Sequence, residues 1–249
     1  MFSVGTAPSR AYRRPALLLL GDSLTEQGTD PSLGGWISLL QHSYTRSADV
    51  VVRGLYGYNT ECFVRHALPG LTRDLASWPE SPAFVTLWLG ANDAALLSGP
   101  EAALNVPLGR YRTNLRGIVD AIRVEAPDAA ILLITPPAVN DQKRFALTPN
   151  GKLDFSNTGA AEYARACVEE AAALETPALN LHHIFNALGP HDCASCLSDG
   201  LHLTTKGNAL VADKIRETIE REFPALATRL NTWEHPDYLE LIAGCAIKQ

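Results

Sequence analysis

Three residues that together can activate a nucleophile occur at two well separated places in the chain. Ser23 follows the apolar run 16–20 after only two residues, while Asp199 and His202 stand three positions apart near the other end. A single turn can bring that carboxylate to the imidazole, where it would fix the ring tautomer and stabilise the imidazolium. The neutral ring could then remove the proton of a serine hydroxyl, which is otherwise a weak nucleophile. The pattern predicts nucleophilic catalysis by Ser23, with His202 as base and Asp199 as the acid that orients it.

Two further segments offer donors for the negative charge that such an attack places on a carbonyl oxygen. Gly57 lies in the turn-rich segment 54–60, and Asn92 follows the apolar run 83–89. We expect an oxyanion hole made of the backbone N–H groups of Ser23 and Gly57 and the side-chain amide of Asn92. Gly57 suits this place because a residue without Cβ lets the backbone approach a substrate closely.

Each of these residues also has an ordinary structural explanation. Ser23 could cap a turn and Asp199 could cap a helix. Asn92 could satisfy local backbone groups, and His202 could be a buried structural histidine. Their joint occurrence, each in a predicted strand-end loop, favours the catalytic interpretation.

Four short sequences resemble the blocks of a known family: GDSL from residue 21, GYNT from 57, GAND from 90 and DGLHL from 199. They are similar to blocks I, II, III and V of the SGNH (GDSL-type) hydrolases and span residues 21–207. The longer sequences GDSLTEQG, RGLYGYNT, LWLGANDA and LSDGLHLTTKG, with the Gly-Trp pair at 35–36, most resemble the isoamyl acetate-hydrolysing esterase branch.

The resemblance implies an α/β protein with a flavodoxin-like three-layer α/β/α fold, a mainly parallel sheet, and hydrolysis of carboxylic esters through an acyl-enzyme. By motif, Ser23 is the nucleophile, with Asp199 and His202 as acid and base. Gly57 and Asn92 complete the oxyanion hole.

A serine esterase acting on small, short-chain acyl esters of the acetate type is the function that we predict. Lysophospholipase, thioesterase and carbohydrate O-acetyl esterase activities stay open, as does a catalytically silent binding protein on the same fold. No metal or other cofactor is expected, because serine, histidine and oxyanion donors already activate the nucleophile and polarise the carbonyl.

Alternating strands and helices must position these residues, which indicates right-handed βαβ units and a mainly parallel sheet. The predicted strands are 16–20, 49–53, 83–89, 129–134 and 178–181. The predicted helices are 36–44, 60–67, 107–125, 157–175 and 203–223. The stretch 138–155 is predicted to be a surface loop over one rim. No repeat or linker divides the chain, so residues 1–249 are predicted to form one domain.

Composition and charge narrow the class of protein. The 249 residues are 46% hydrophobic and 19% charged, which is typical of a soluble globular domain with a sizeable core. The net charge of −6 disfavours partners such as nucleic acid or anionic lipid. No apolar run reaches membrane-spanning length, so no stable membrane anchor is expected. A small-molecule ester is the expected partner, and the oligomeric state stays open.

Cysteines and the two termini complete the sequence-based predictions. Five cysteines, an odd number without a secretory signal, favour reduced thiols and a cytoplasmic location. Cys193 and Cys196 could suggest a metal or redox site, but we predict plain loop thiols because no second ligand pair matches them. Residues 1–14 are predicted to be a flexible arm, with a faint similarity to an organelle transit peptide. The tail 231–249 either packs on the body or reaches a partner.

Overall fold

The computed structural model of the protein describes residues 14–148, 151–233 and 235–246. Within them, five parallel strands form one sheet in the order β2-β1-β3-β4-β5. The strands are β1 (Ala16–Gly21), β2 (Asp49–Gly54), β3 (Phe84–Trp88), β4 (Ala130–Ile134) and β5 (Ala178–Leu179).

Helices connect the strands and cover both faces of the sheet. They are α1 (Ser23–Glu26), α2 (Trp36–Ser43), α3 (Thr60–Cys62), α4 (Leu68–Ser77), α5 (Leu108–Glu125), α6 (Asp141–Leu147), α7 (Asn157–Ala173), α8 (Leu181–Ala187), α9 (Pro190–Cys196), α10 (Thr205–Glu222), α11 (Pro224–Leu230) and α12 (Tyr238–Ala246). A π-helical segment, Phe63–Ala67, joins α3 to α4.

The alternation of side chains along β1 divides the core into two clusters, one on each face of the sheet. Leu17 and Leu19 belong to the first cluster, and Leu18 and Leu20 to the second. The first cluster takes apolar residues from α2, α8, α10 and α11, and the second takes them from α4, α5 and α7. The predicted three-layer α/β/α fold is therefore confirmed.

The strand order determines where a ligand can bind. The chain moves outwards from β1 to β2 and then crosses back to β3 on the other side of β1. In open parallel sheets of this order, ligands bind outside the carboxyl ends of the two strands at the reversal. The segments that follow β1 and β3 contain Ser23 and Asn92, so both residues lie at this crevice.

Three of the predicted elements are wrong in extent. The stretch 138–155 is not one loop, because α6 lies within it and begins at its side-chain cap Asn140. The helix predicted for 60–67 continues to Ser77, since Pro69 stands in the first turn of α4, where its missing N–H costs no hydrogen bond. The strand predicted for 178–181 ends at Leu179, and α8 follows at once.

The predicted N-terminal arm lies almost wholly outside the described residues, whereas most of the C-terminal tail is described. Of the arm 1–14, only Arg14 is described, and its guanidinium donates to the carbonyls of Thr45 and Ala48 at 2.7 and 2.6 Å. Part of the tail contacts the body, because Arg46 donates to the carbonyl of Pro236 and lies over the ring of Trp233. In the described part of the chain, no helix has the length and apolar character needed to cross a membrane.

Candidate active site

Ser23 is the first residue of α1, directly beyond the end of β1. Asp22 caps this helix: its carboxylate accepts the N–H of Leu24 at 2.9 Å, and its carbonyl accepts the N–H groups of Thr25 and Glu26. Gly21 permits the tight exit from the strand, because a Cβ there would lie 2.6 Å from the Trp88 carbonyl oxygen. The N–H of Ser23 gains no partner from the helix itself, so it is available to a ligand.

Gly57 lies in a turn that connects β2 to α3. The N–H of Tyr58 donates to the carbonyl of Leu55 at 3.1 Å, and Gly57 has a φ of +76° at the third position of this turn. A Cβ at Gly57 would meet no atom within 4 Å, so the positive φ rather than crowding is what requires glycine. The carboxylate of Glu26 accepts the N–H of Tyr56 at 2.7 Å and so links this turn to α1.

Asn92 follows β3 and faces the same turn. Its side-chain amide donates to the carbonyl of Tyr58 at 2.8 Å. An amide group has two N–H bonds, so the second remains for a ligand in the crevice. Gly90 permits the preceding bend, with a φ of +121° and a virtual Cβ only 2.7 Å from the hydroxyl of Tyr111.

Asp199 and His202 lie on a tight turn before α10. The N–H of Ser198 donates to the carbonyl of His202 at 2.8 Å, and Gly200 adopts a φ of +91° within the turn. One oxygen of the Asp199 carboxylate, Oδ1, accepts the backbone N–H groups of Leu201 and His202 at 2.9 and 2.8 Å. The backbone itself therefore orients the carboxylate towards the ring.

The imidazole of His202 connects the two distant parts of the chain. Its Nδ1 lies 2.8 Å from Asp199 Oδ2, and its Nε2 lies 3.0 Å from Ser23 Oγ. An ionised carboxylate only accepts hydrogen bonds, so Nδ1 carries the proton and Nε2 is free to accept that of the serine. The structure brings all three residues together in the order that nucleophilic activation needs.

A pocket of about 250 Å³ opens beside Ser23. All five residues singled out from the sequence, Ser23, Gly57, Asn92, Asp199 and His202, line it. It also contains Tyr56, Glu101, Leu104, Arg144, Phe155 and Leu201, which sequence analysis did not single out. Tyr56 is 62% exposed, and its ring is stacked on that of His202 with 6.0 Å between the centroids.

Comparison with known proteins decides the family. The profile of the GDSL-like Lipase/Acylhydrolase family matches residues 19–210. The isoamyl acetate-hydrolyzing esterase 1 homolog of Bos taurus is 37% identical over 88% of this chain and 87% of its own. A GDSL esterase/lipase of Arabidopsis thaliana is 35% identical over 84% of this chain and 87% of its own.

This chain belongs to the GDSL-like lipase/acylhydrolase family. The predicted resemblance to the SGNH hydrolases, and to their isoamyl acetate-hydrolysing branch, is thereby confirmed, as is the prediction of a carboxylic ester hydrolase. Among solved structures, an acetyl xylan esterase superposes with a TM-score of 0.66 at 18% identity, over 82% of this chain and 99% of its own. The lipase/acylhydrolase of Enterococcus faecalis superposes with a TM-score of 0.59 at 24% sequence identity, over 83% of this chain and 96% of its own. At these identities the two structures support the fold alone.

The electrostatics of this GDSL hydrolase keep Asp199 ionised. Burial by itself would raise the pKa of the Asp199 carboxyl, but its hydrogen bonds to the ring and N–H of His202 and to the N–H of Leu201 hold that pKa well below its usual range. Asp199 therefore stays an acceptor across the physiological range.

Two other carboxyls, those of Asp22 and Asp93, have pKa values that are raised rather than lowered. Burial raises the pKa of Asp22 to about 7, and burial likewise raises the pKa of Asp93 to about 7. The carboxyl group of Asp93 accepts hydrogen bonds from the N–H of Thr60, at 3.0 Å, and from the Thr60 hydroxyl. These bonds join the loop after β3 to the start of α3. Burial therefore brings the pKa of both carboxyls close to neutral pH.

Arg144, one of two charged pocket residues that sequence analysis missed, lies on α6, inside the stretch predicted to be a loop. The signals for this helix were present: Asn140 as cap, Asp141 in the first turn and a run of good helix formers. A helix of seven residues is marginal by itself, so its formation depends on packing that the sequence does not display.

The prediction that Cys193 and Cys196 lie in a loop is wrong, because both are on α9. Both thiols are free and buried, and burial raises the pKa of each. In the described residues, no group of three or more histidine, cysteine, aspartate or glutamate side chains is arranged to hold a metal ion.

Proposed function

We propose that this protein is a serine esterase that hydrolyses small carboxylic esters with short acyl groups through an acyl-enzyme. One observation carries the proposal: the unbroken chain of hydrogen bonds from Ser23 Oγ through His202 to Asp199, with links of 3.0 and 2.8 Å. Such a chain converts a hydroxyl into a nucleophile.

In the first half of the reaction, Ser23 Oγ attacks the carbonyl carbon of the ester and its proton passes to His202 Nε2. The N–H groups of Ser23 and Gly57 and the amide of Asn92 stabilise the oxyanion. The bond to the alcohol oxygen then breaks, and the imidazolium gives its proton to the departing alcohol. Asp199 stabilises the imidazolium and does not itself take up the proton.

In the second half, His202 removes a proton from a water molecule, which attacks the acyl-serine carbonyl. The same donors stabilise the second oxyanion. Its collapse breaks the bond to Ser23 Oγ, which recovers its proton from His202, and the carboxylic acid leaves. The two halves consume one ester and one water and yield one alcohol and one acid.

The pocket favours small, uncharged esters as substrates. Its volume is about 250 Å³, and its apolar wall is formed by Leu104, Phe155 and Leu201. Arg144 is already paired with two carboxylates, whereas Glu101 is an exposed acid at the same pocket, which disfavours anionic esters. The relatives named as isoamyl acetate-hydrolyzing esterase homologs support acetate esters of simple alcohols.

Labelling and a substrate series test this proposal together. A fluorophosphonate should modify one residue, located at Ser23 by peptide mapping, and the modification should abolish hydrolysis of nitrophenyl acetate. Among nitrophenyl esters of increasing acyl length, kcat/KM should be highest for the short chains. Hydrolysis that persists after complete labelling, or the absence of any label, contradicts the proposal, and a preference for long chains contradicts its short-acyl part.

Replacement of Asn92 by alanine tests the oxyanion hole. We expect kcat to fall on the order of 10²-fold with little change in KM, because the amide acts on the charged intermediate rather than on the bound ester. Asn105→Ala is the matched control, since Asn105 donates to the carbonyls of Asp93 and Ala95 in the same region but does not line the pocket. An unchanged kcat with a raised KM in Asn92→Ala would limit this residue to ground-state binding.

A further inference from the structure

Besides His202, Asp199 has a cationic partner, Arg144. Its Oδ2 lies 2.8 Å from His202 Nδ1 and also 3.1 Å from Arg144 Nη1. With the two backbone N–H groups on Oδ1, the carboxylate receives four donors. A carboxylate has about four lone-pair positions, so its hydrogen-bonding capacity is filled and its rotation is blocked from both sides.

Arg144 is itself held by an acid on its far side. Its Nε donates to Asp154 Oδ1 at 3.0 Å, and its Nη2 donates to Asp154 Oδ2. The side chains of Arg144 and Asp154 are only 13% and 4% exposed, and the guanidinium lies 5.5 Å above the ring of Phe155. A planar guanidinium paired through two bonds has a fixed orientation, so it cannot swing away from Asp199.

Helix α6, which carries Arg144, also contacts the backbone on either side of Asp199. The N–H of Asn140 donates to the carbonyl of Gly200 at 2.8 Å, and the ammonium of Lys143 donates to the carbonyls of Ala194 and Leu197. The helix and the turn before α10 therefore form one connected unit. Asp199 thus contacts a residue that lies 55 positions earlier in the chain.

We propose that Arg144, anchored by Asp154, is a positioning residue that fixes the Asp199 carboxylate against His202 and offsets part of its charge. This inference rests on the proposed role of the Ser23, His202 and Asp199 chain. The guanidinium contributes in two separable ways. Its fork geometry holds the carboxylate in line with the ring, and its positive charge, balanced by Asp154, sets how strongly the site favours the imidazolium.

Other charged or titratable groups also face His202, and the test must separate them from Arg144. Asp22, at the end of β1, interacts electrostatically with the ring of His202 and with Asp93. Tyr56 is stacked on the ring, and Glu101 lines the same pocket and acts electrostatically on Arg144. None of these residues is altered in the variants below, so their contributions are the same in every comparison.

Three variants separate geometry from charge. Arg144→Lys keeps the charge and loses the fork, so kcat should fall on the order of 10-fold with KM and the acidic limb of the pH–rate profile nearly unchanged. Arg144→Gln leaves the charge of Asp154 unbalanced, which favours the imidazolium and should move the acidic limb to higher pH by about half a unit. Asp154→Asn leaves the charge of Arg144 unbalanced and should move the limb to lower pH by a similar amount.

Arg112→Gln is the matched control. Arg112 also bridges two carboxylates, those of Glu169 and Glu170, but it lies on α5 away from the pocket. This variant should keep the kcat and pH profile of the wild type. Thermal unfolding of every variant shows whether it is folded at the assay temperature. The ring NMR signals of His202 show whether the acidic limb of the pH–rate profile follows the titration of this residue.

Opposite displacements of the limb in Arg144→Gln and Asp154→Asn support the proposal, since a merely structural role gives no such sign reversal. The proposal is overturned if the limb and kcat stay at wild-type values in all three variants, or if both displacements have the same sign. If Arg144→Gln does not fold, the other two variants decide. A normal kcat in Arg144→Lys, or an acidic limb at the wild-type pH in Asp154→Asn, then overturns the proposal. Failure of the proposed function is distinguishable, because it appears in the wild type as absent hydrolysis or absent label at Ser23.

Discussion

Ser23→Ala is expected to lower kcat for nitrophenyl acetate at least ~10³-fold, because it removes the atom that attacks the carbonyl. Ser23 is 5% exposed, and its hydroxyl has one side-chain partner, His202 Nε2, at 3.0 Å. Loss of this hydrogen bond should cost about 1 kcal/mol of unfolding free energy or less, so the variant remains folded. Steady-state kinetics and a thermal melt measure the two quantities.

Ser38→Ala is the matched control for this prediction. Ser38 is also a helical serine with one hydrogen bond, to the carbonyl of Thr29 at 3.0 Å, but it is half-buried and does not line the pocket. It should retain wild-type kinetics. If Ser23→Ala stays folded and hydrolyses the ester at a comparable rate, another group is the nucleophile.

Asp199→Asn is expected to lower kcat on the order of 10⁴-fold through the wrong ring tautomer. Two backbone N–H groups donate to Oδ1, so the carbonyl oxygen of an asparagine stays at that position. Its amino group then faces both Nδ1 of His202 and the guanidinium of Arg144, which are donors themselves. The ring can accept that N–H only by moving its own proton to Nε2, where it blocks uptake of the proton from Ser23.

Asp192→Asn provides the control for loss of a nearby carboxylate. Asp192 lies on α9 and forms an exposed ion pair with Lys206 at 2.7 Å, and it does not line the pocket. Exposed pairs contribute little to stability, so this variant should keep both activity and fold. Near-normal kcat in a folded Asp199→Asn would remove the carboxylate from the proposed chain.

Much of the fold could be predicted because it depends on local patterns. The buried parallel strands appear as short apolar runs, and their order along the chain limits the topology to a few choices. The helix caps Ser156 and Thr204 have side chains that accept from their own helices, which is how serine and threonine act at such positions. The motif residues of the site could be predicted for a related reason, since each lies a few residues after a strand or before a helix.

The parts that could not be predicted depend on contacts between distant segments. Arg144 belongs to a short helix whose formation relies on Asp154, Asp199 and the carbonyl groups around them. Cys193 and Cys196 belong to another helix of seven residues, which has a proline in its first turn but no side-chain cap and is marginal by itself. The stacking of Tyr56 on His202 joins residues whose proximity only the tertiary fold creates.

A pH–rate profile alone would leave the base unassigned, because the pKa values of Asp22 and Asp93 are both raised by burial to about 7. As the pH falls through that range these carboxyls take up protons, and the loss of their negative charge disfavours the imidazolium. A fall in kcat/KM near neutrality could therefore reflect a carboxyl rather than the ring. The assignment needs a signal that belongs to the histidine itself.

The most direct measurement is the ring titration of His202 by NMR, recorded in the same buffers as kcat/KM for a small acetate ester. The signal is assigned by its absence in His202→Gln, which distinguishes it from the other six of the seven histidines. We predict that the acidic limb of kcat/KM coincides with this titration and follows the uptake of one proton. If the limb instead stays in place while the ring titrates elsewhere, His202 is not the base and the proposed chain from Ser23 to Asp199 does not perform the reaction.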